Sequence, residues 1–234
     1  ILEIARRYHL RVIVDAAHAH GSYYHAQPVG TLGDLACFSF YPTKAFGAMG
    51  DAGAIVTNDV TLDERLRQLR YMGQKTKHQH EILGYQKRMD EIQAAILRVK
   101  LHHLGDWIAR RQAIAERYRH LLAETPVTVP FVAPGCTHSY YLYTILTPRR
   151  DQLCTYLGEQ GIGSQIIYPT LVPDQPAYRD QPLRSGPIPV ARTLHERLLC
   201  LPMFPELSDD EIERVAAVIH DFFRSADGEE RRSR

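Results

Sequence analysis

The sequence holds no apolar run approaching the roughly 20 residues that cross a bilayer, and it lacks the charged start, apolar middle and small-residue cleavage site of a signal peptide. A soluble, non-membrane protein is expected. Neither charge sign dominates: 28 Lys and Arg stand against 27 Asp and Glu, a formal net charge of +1. So even a balance offers no field for nucleic acid or an anionic membrane, and a small polar substrate is the better match. Cysteine is sparse, and Cys37, Cys136, Cys154 and Cys200 have neither the paired spacing of a zinc site nor the density of a disulfide scaffold. That usage suits a reducing cytoplasm. Internal repeats and low-complexity segments are also missing from the part expected to fold. What remains is a globular composition, 44% hydrophobic over 234 residues, enough for one sizeable core or two modest ones.

The pattern along the chain is α/β. Ile1–Leu10 reads as an amphipathic helix leading into Val12-Ile13-Val14, a short apolar run that suits a parallel strand buried on both faces, ending at Asp15. The abrupt start, with no methionine ahead of it, is read as a beginning inside a domain. Leu35–Phe40 is a second strand, broken by Pro42, and Ala54–Thr57 a third. Leu62, Leu66 and Leu69 recur at helical spacing, Gly73–Gly84 is a polar loop, and Met89, Ile92, Ala95, Ile96 and Val99 mark the apolar face of a long helix that bends near Gly105 and runs towards Leu122. From about Thr125 short strands and proline turns take over. Tyr140–Leu146, Ile162–Tyr168 and Leu198–Leu201 are strands, Asp151–Gln160 is a helix closed by Gly161, and Ser208 with Glu211 caps a final helix, Asp209–Phe223. Residues 226–234 form a polar tail expected to be disordered. The domain division drawn from this is 1–104, 105–225 and the tail.

Three segments concentrate chemistry: Val14-Asp15-Ala16-Ala17-His18-Ala19-His20-Gly21, Phe38-Ser39-Phe40-Tyr41-Pro42-Thr43-Lys44, and Gly50-Asp51-Ala52-Gly53. Taken singly, Asp15 is a turn residue, Ser39 a strand residue and Lys44 a solvated charge. Together, two strand ends deliver an acid and an amine. His18, His20 and His25 raise the question of a metal, but no acid or cysteine stands at ligand spacing beside them, so no metal site is expected. His20 and His25 are read as hydrogen-bonded structural histidines. Lys75, Lys77, His78 and His80 suit the rim of an anionic site or a solvated loop equally; Trp107 and Tyr118 read as packing, and Tyr140, Tyr141 and Tyr143 alternate as strand residues do, so that at most one face of them meets a ligand.

With their flanks, these segments resemble the DegT/DnrJ/EryC1/StrS family of sugar aminotransferases, from about Ile1 to about Phe223. The resemblance implies the fold-type-I architecture of aspartate-aminotransferase-like enzymes: part of a large cofactor-binding domain with a mostly parallel sheet, then a small C-terminal α+β domain. Members are longer by on the order of a hundred N-terminal residues, which marks this chain as N-terminally truncated. Pyridoxal 5′-phosphate (PLP) is the implied cofactor. Its pyridine nitrogen draws electrons best when protonated beside a carboxylate, the role the resemblance gives Asp15. Lys44 is then the lysine that forms a Schiff base with the cofactor aldehyde and moves the proton. Ser39 is placed on the cofactor phosphate, and His18, where glutamine is common, beside the phenolic oxygen.

Gln86, in Gly84-Tyr85-Gln86, stands where the family has an asparagine that reaches the phosphate of the neighbouring subunit. In the small domain Ile166-Ile167-Tyr168-Pro169 replaces a His-Tyr-Pro pattern, and Arg192 stands where glutamate is usual. The reaction implied is transfer of an amino group from L-glutamate, or glutamine, to a nucleotide-linked keto-sugar by a cytoplasmic homodimer serving amino-sugar and polysaccharide supply. Two other readings stay open: a non-catalytic fragment that pairs with another chain, and a related PLP-dependent sugar dehydratase, which Lys44 argues against because members with that activity carry histidine there.

Overall fold

The structure, a computed structural model, describes residues 1–180 and 186–232, with side chains described up to Ser225. The chain divides into two compact units, residues 1–110 with 132–141, and residues 111–131 with 142–234. The boundary thus falls inside a helix, and a ten-residue segment returns to the first unit.

In the first unit, α1 (Leu2–Arg7) leads to β1 (Ile13–Asp15), the two-residue strands β2 (Tyr23–Tyr24) and β3 (Gln27–Pro28), then β4 (Leu35–Ser39) and β5 (Gly53–Val56). The central sheet has the order β1-β4-β5, with β1 parallel and β5 antiparallel to β4. The register pairs Asp15 with Cys37 and Ser39 with Gly53. Since paired residues point to the same face, Asp15 and Ser39 share a face with Ile13, Cys37 and Ile55. Burial of β1 on both faces does not hold: Ile13 is 64% exposed and Ile55 50%, while Ala36 on the opposite face is fully buried. β1 is an edge strand, and only one face of the sheet is packed within this unit.

Next come α2 (Val60–Arg70), β6 (Gln74–Thr76), β7 (Gln79–His80), α3 (Glu91–Leu101), α4 (Leu104–Leu121) and β8 (Cys136–Thr137). Asp59 caps α2, accepting hydrogen bonds from the Thr61 and Leu62 amides at 2.9 and 3.2 Å. The expected loop 73–84 is instead a hairpin of β6 and β7. The expected bend at Gly105 falls earlier, at His102 and His103, between α3 and α4. The expected apolar face of α3 also turns outward in part: Ile92 and Val99 are 68% and 66% exposed, whereas Leu97 packs with Phe46 and Ala48. A helix with two apolar stripes gives a pattern that does not say which stripe meets the core. β2 pairs with both β3 and β8, which joins the returning segment to the first unit.

In the second unit, β9 (Tyr143–Leu146), α5 (Arg150–Glu159), α6 (Pro189–His195), β10 (Leu198–Leu201) and α7 (Asp209–Arg232) follow. β9 and β10 form an antiparallel pair. Ile114, Tyr118, Ile145, Leu153, Leu157, Leu199, Ile212 and Ile219 are fully buried around it. Tyr118 donates its hydroxyl to the Pro202 carbonyl at 3.2 Å, and burial pushes its titration upward. The Gly161 turn (φ +70°) closes α5 as expected. The Ser208–Glu211 capping box forms: Glu211 accepts from the Ser208 amide at 2.8 Å, and Ser208 Oγ from the Glu211 amide at 3.3 Å. Three expectations change. Tyr140–Leu142 is not strand, because Tyr140 adopts φ +47°. Ile162–Tyr168 gives a single bridge, Gln165 to Cys200. α7 continues to Arg232, past the expected end at Phe223 and through most of the expected tail, while residues 233 and 234 lie outside the described residues.

Candidate active site

The first unit's sheet places the candidate residues at strand ends. β1 ends at Asp15, whose Oδ1 accepts from the Ala17 amide at 3.1 Å. This turns the chain sharply and leaves the carboxylate exposed beside the loop that carries His18. β4 ends at Ser39, whose Oγ accepts from the Tyr41 amide at 3.3 Å. A turn follows, with the Lys44 amide on the Tyr41 carbonyl (2.9 Å) and the Ala48 amide on the Phe40 carbonyl (2.8 Å). Glycine is required within it: a Cβ on Gly47 would stand 2.5 Å from the Pro42 carbonyl oxygen. The turn leaves Lys44 half-buried between the solvated Thr43 and the buried Ala45 and Phe46.

Asp15 and Lys44 both act on His18. His18 titrates below its ordinary value through desolvation and then the positive charge of Lys44, with the Asp15 carboxylate pulling the other way. An imidazole held neutral keeps one N–H to donate and one nitrogen to accept. Lys44 Nζ lies 4.8 Å from the centre of the Tyr141 ring. The Tyr141 hydroxyl is 3.0 Å from Thr43 Oγ1, and the His18 and Tyr141 ring centres are 4.5 Å apart. Tyr141 belongs to the returning segment, which Ser139 fastens by donating its hydroxyl to the His18 carbonyl at 2.8 Å. The sequence allowed one face of Tyr140, Tyr141 and Tyr143 to meet a ligand but gave Tyr141 no role beside Lys44. Strand alternation among the three tyrosines does not single out Tyr141, and nothing local links it to a lysine about a hundred residues away.

Gln86 is not brought into this group. It is exposed beyond α2, joined to Tyr71 by a backbone bridge. His20 is buried at 4% exposure among Phe38, Phe40 and Phe46, with ring-centre distances of 5.4, 5.8 and 6.1 Å. Its ring nitrogens have no partner at full hydrogen-bond geometry, and the Ser39 backbone offers only a weaker bond, so packing more than hydrogen bonding holds the expected structural histidine. Burial, against the pull of the Ser39 backbone, brings its pKa down to about 4. In the second unit Arg192, at the position where the family pattern has glutamate, forks onto Asp174 at 2.6 and 2.9 Å.

The donor set fits a phosphorylated pyridine aldehyde. It offers a carboxylate for a ring nitrogen, an amine for a carbonyl carbon, a hydroxyl at a turn for a phosphate and a neutral imidazole for a phenolic oxygen. A cavity of about 520 Å³ lies elsewhere, lined by Leu2, Arg6, Leu10, Val12 and Asp34 among others, and none of the candidate residues borders it. Among the described residues no cluster of histidine, cysteine and acid is placed to hold a metal, and no helix is long and apolar enough to cross a membrane.

The model of the DegT/DnrJ/EryC1/StrS aminotransferase family matches residues 1–220. The chain is similar to a "Pleiotropic regulatory protein" of Geobacillus stearothermophilus, 43% identical, with 96% of this chain and 61% of that protein covered. It is also similar to a UDP-N-acetyl-3-dehydro-alpha-D-glucosamine 3-aminotransferase of Acidithiobacillus ferrooxidans, 41% identical, with 94% and 59% covered. Among solved structures, DesV of S. venezuelae in complex with a ketimine intermediate aligns with a TM-score of 0.90 at 40% identity, over 94% of this chain and 60% of that one. The chain thus spans about three fifths of the length of these relatives.

Proposed function

Because this chain belongs to the DegT/DnrJ/EryC1/StrS aminotransferase family, whose enzymes depend on PLP, we propose that it serves the transfer of an amino group from L-glutamate, or glutamine, to a nucleotide-linked keto-sugar, with Lys44 as the reacting amine. The observation that carries this reading is the convergence of Lys44, His18 and Asp15 at the ends of two neighbouring strands, close enough that the first and last both move the titration of the second. Relatives named as transaminases of UDP- and dTDP-linked sugars support the substrate class.

When bound, the cofactor supplies an aldehyde and an electron-withdrawing ring. The chain's residues supply the rest. Lys44 offers the amine for the aldehyde carbon and, once released, a base that holds and returns a proton. Asp15 offers a carboxylate to keep a ring N–H in place, Ser39 and the turn after it a hydroxyl and amides for the phosphate, and His18 an N–H for the ring oxygen. Gln86, exposed beyond α2, offers its amide to the site of a second copy. The exposed stripe of Ile92 and Val99 on α3 supports such pairing.

The test is to incubate the chain with PLP, reduce with borohydride and map the modified peptide by mass spectrometry. Modification at Lys44, lost in Lys44→Ala and followed by a glutamate-dependent spectral change before reduction, is the expected result. Modification spread over surface lysines without preference for Lys44 would overturn the assignment. The second reading, a non-catalytic chain that acts by pairing, is favoured by the open sheet face carrying Ile13 and Ile55. It predicts a dimer by light scattering together with no preference for Lys44.

A further inference from the structure

The Lys44 ammonium rests on the face of an aromatic ring that comes from the far end of the unit's sequence. Its Nζ lies 4.8 Å from the Tyr141 ring centre, within the roughly 6 Å at which a cation is held by the negative face of an aromatic ring. The ring is fixed independently of the lysine. Its hydroxyl meets Thr43 Oγ1 at 3.0 Å, it lies tilted against the His18 ring at 4.5 Å between centres, and Ser139, two residues earlier and 1% exposed, donates its hydroxyl to the His18 carbonyl. The Ser139 amide in turn donates to Ser22 Oγ at 3.2 Å. A ring so anchored does not follow the lysine; the lysine follows the ring.

We propose that Tyr141 is a positioning residue, the resting seat that holds the Lys44 amine in its cationic form beside His18 whenever the amine is not engaged. This deepens the reading of Lys44 as the reacting amine and rests on it for its biological meaning, but the seat itself is a property of the free protein.

Competition labelling with acetic anhydride, with Lys44 acylation read by mass spectrometry against the surface lysines across pH, tests the proposal on the chain without cofactor. Tyr141→Phe keeps the ring face, and Tyr141→Leu keeps apolar bulk without it. The Leu variant is expected to raise Lys44 acylation about two- to fivefold near neutral pH and to move the labelling profile about half a unit towards lower pH, while the Phe variant stays within about twofold of wild type. A Leu variant with the wild-type profile overturns the seat. So does a higher plateau with no movement along the pH axis, because the ring would then only block access, and so does a Phe variant that behaves like Leu. If the Tyr141 pattern holds but PLP shows no preference for Lys44, the proposed function fails and the seat stands.

Discussion

Replacing His20 by phenylalanine should flatten the dependence of stability on pH. The imidazole is 4% exposed among three phenylalanine rings, and desolvation brings its pKa from 6.5 down to about 4. The folded-state value lies below the unfolded one, so between about pH 6.5 and 4 the unfolded chain binds a proton that the folded chain refuses. Stability from this group is therefore complete above about pH 6.5 and lost as pH falls towards 4. The displacement corresponds to about 3 kcal/mol at the acid end, with a slope of up to about 1.4 kcal/mol per pH unit. Carboxylates, His18 and His138 contribute to the same acid limb, so the quantity to measure is the difference between wild type and His20→Phe. Trp107, the only tryptophan, lies in the same unit as His20, and its fluorescence in urea follows the relevant unfolding. The phenylalanine ring fits the aromatic surroundings without a polar atom to desolvate, so the variant should gain relative to wild type as pH falls from 7 to 4. Parallel stability curves over that range would refute the reasoning.

The hairpin of β6 and β7 depends on Gly73, which adopts φ +75° and leaves room for the Ile82 carbonyl 1.7 Å from where a Cβ would sit; Gly73→Ala should open it, read as faster amide exchange at Gln74–His80 with the second unit unchanged. Ser208→Ala removes the hydroxyl of the α7 capping box and should cost about 1 kcal/mol in thermal or urea unfolding, with Ser208→Thr recovering most of it. His18 titrates below its ordinary value, so it should donate to a bound cofactor at neutral pH and acquire charge beside Lys44 only in acid. The yield of borohydride-trapped PLP in wild type relative to His18→Gln should accordingly fall below about pH 6.5, and a constant ratio would remove His18 from the site.

Local sequence was enough for much of this protein. Asp15, Ser39 and Lys44 lie within thirty residues on two strands and the turn after one of them, so apolar runs, a proline break and glycine spacing fixed which side chains stand at strand ends. The Ser208–Glu211 capping box is likewise local, since its two residues stand three apart, and so is the Gly161 stop, which needs only a glycine where the helix ends. Tertiary structure decided what depends on distant partners. Two-residue strands such as β2, β3 and β8 are too short to leave a periodic trace, so the return of residues 132–141 to the first unit was invisible, and with it the meeting of Tyr141 with Lys44. The two apolar stripes of α3 satisfy a helical pattern equally, and only packing against Phe46 and Ala48 selects Leu97 over Ile92 and Val99 for the core. His20 shows the same division: composition marks a histidine near an acid, but its pKa follows from three phenylalanines that the fold gathers around it, because desolvation is a property of the surroundings and not of the residue.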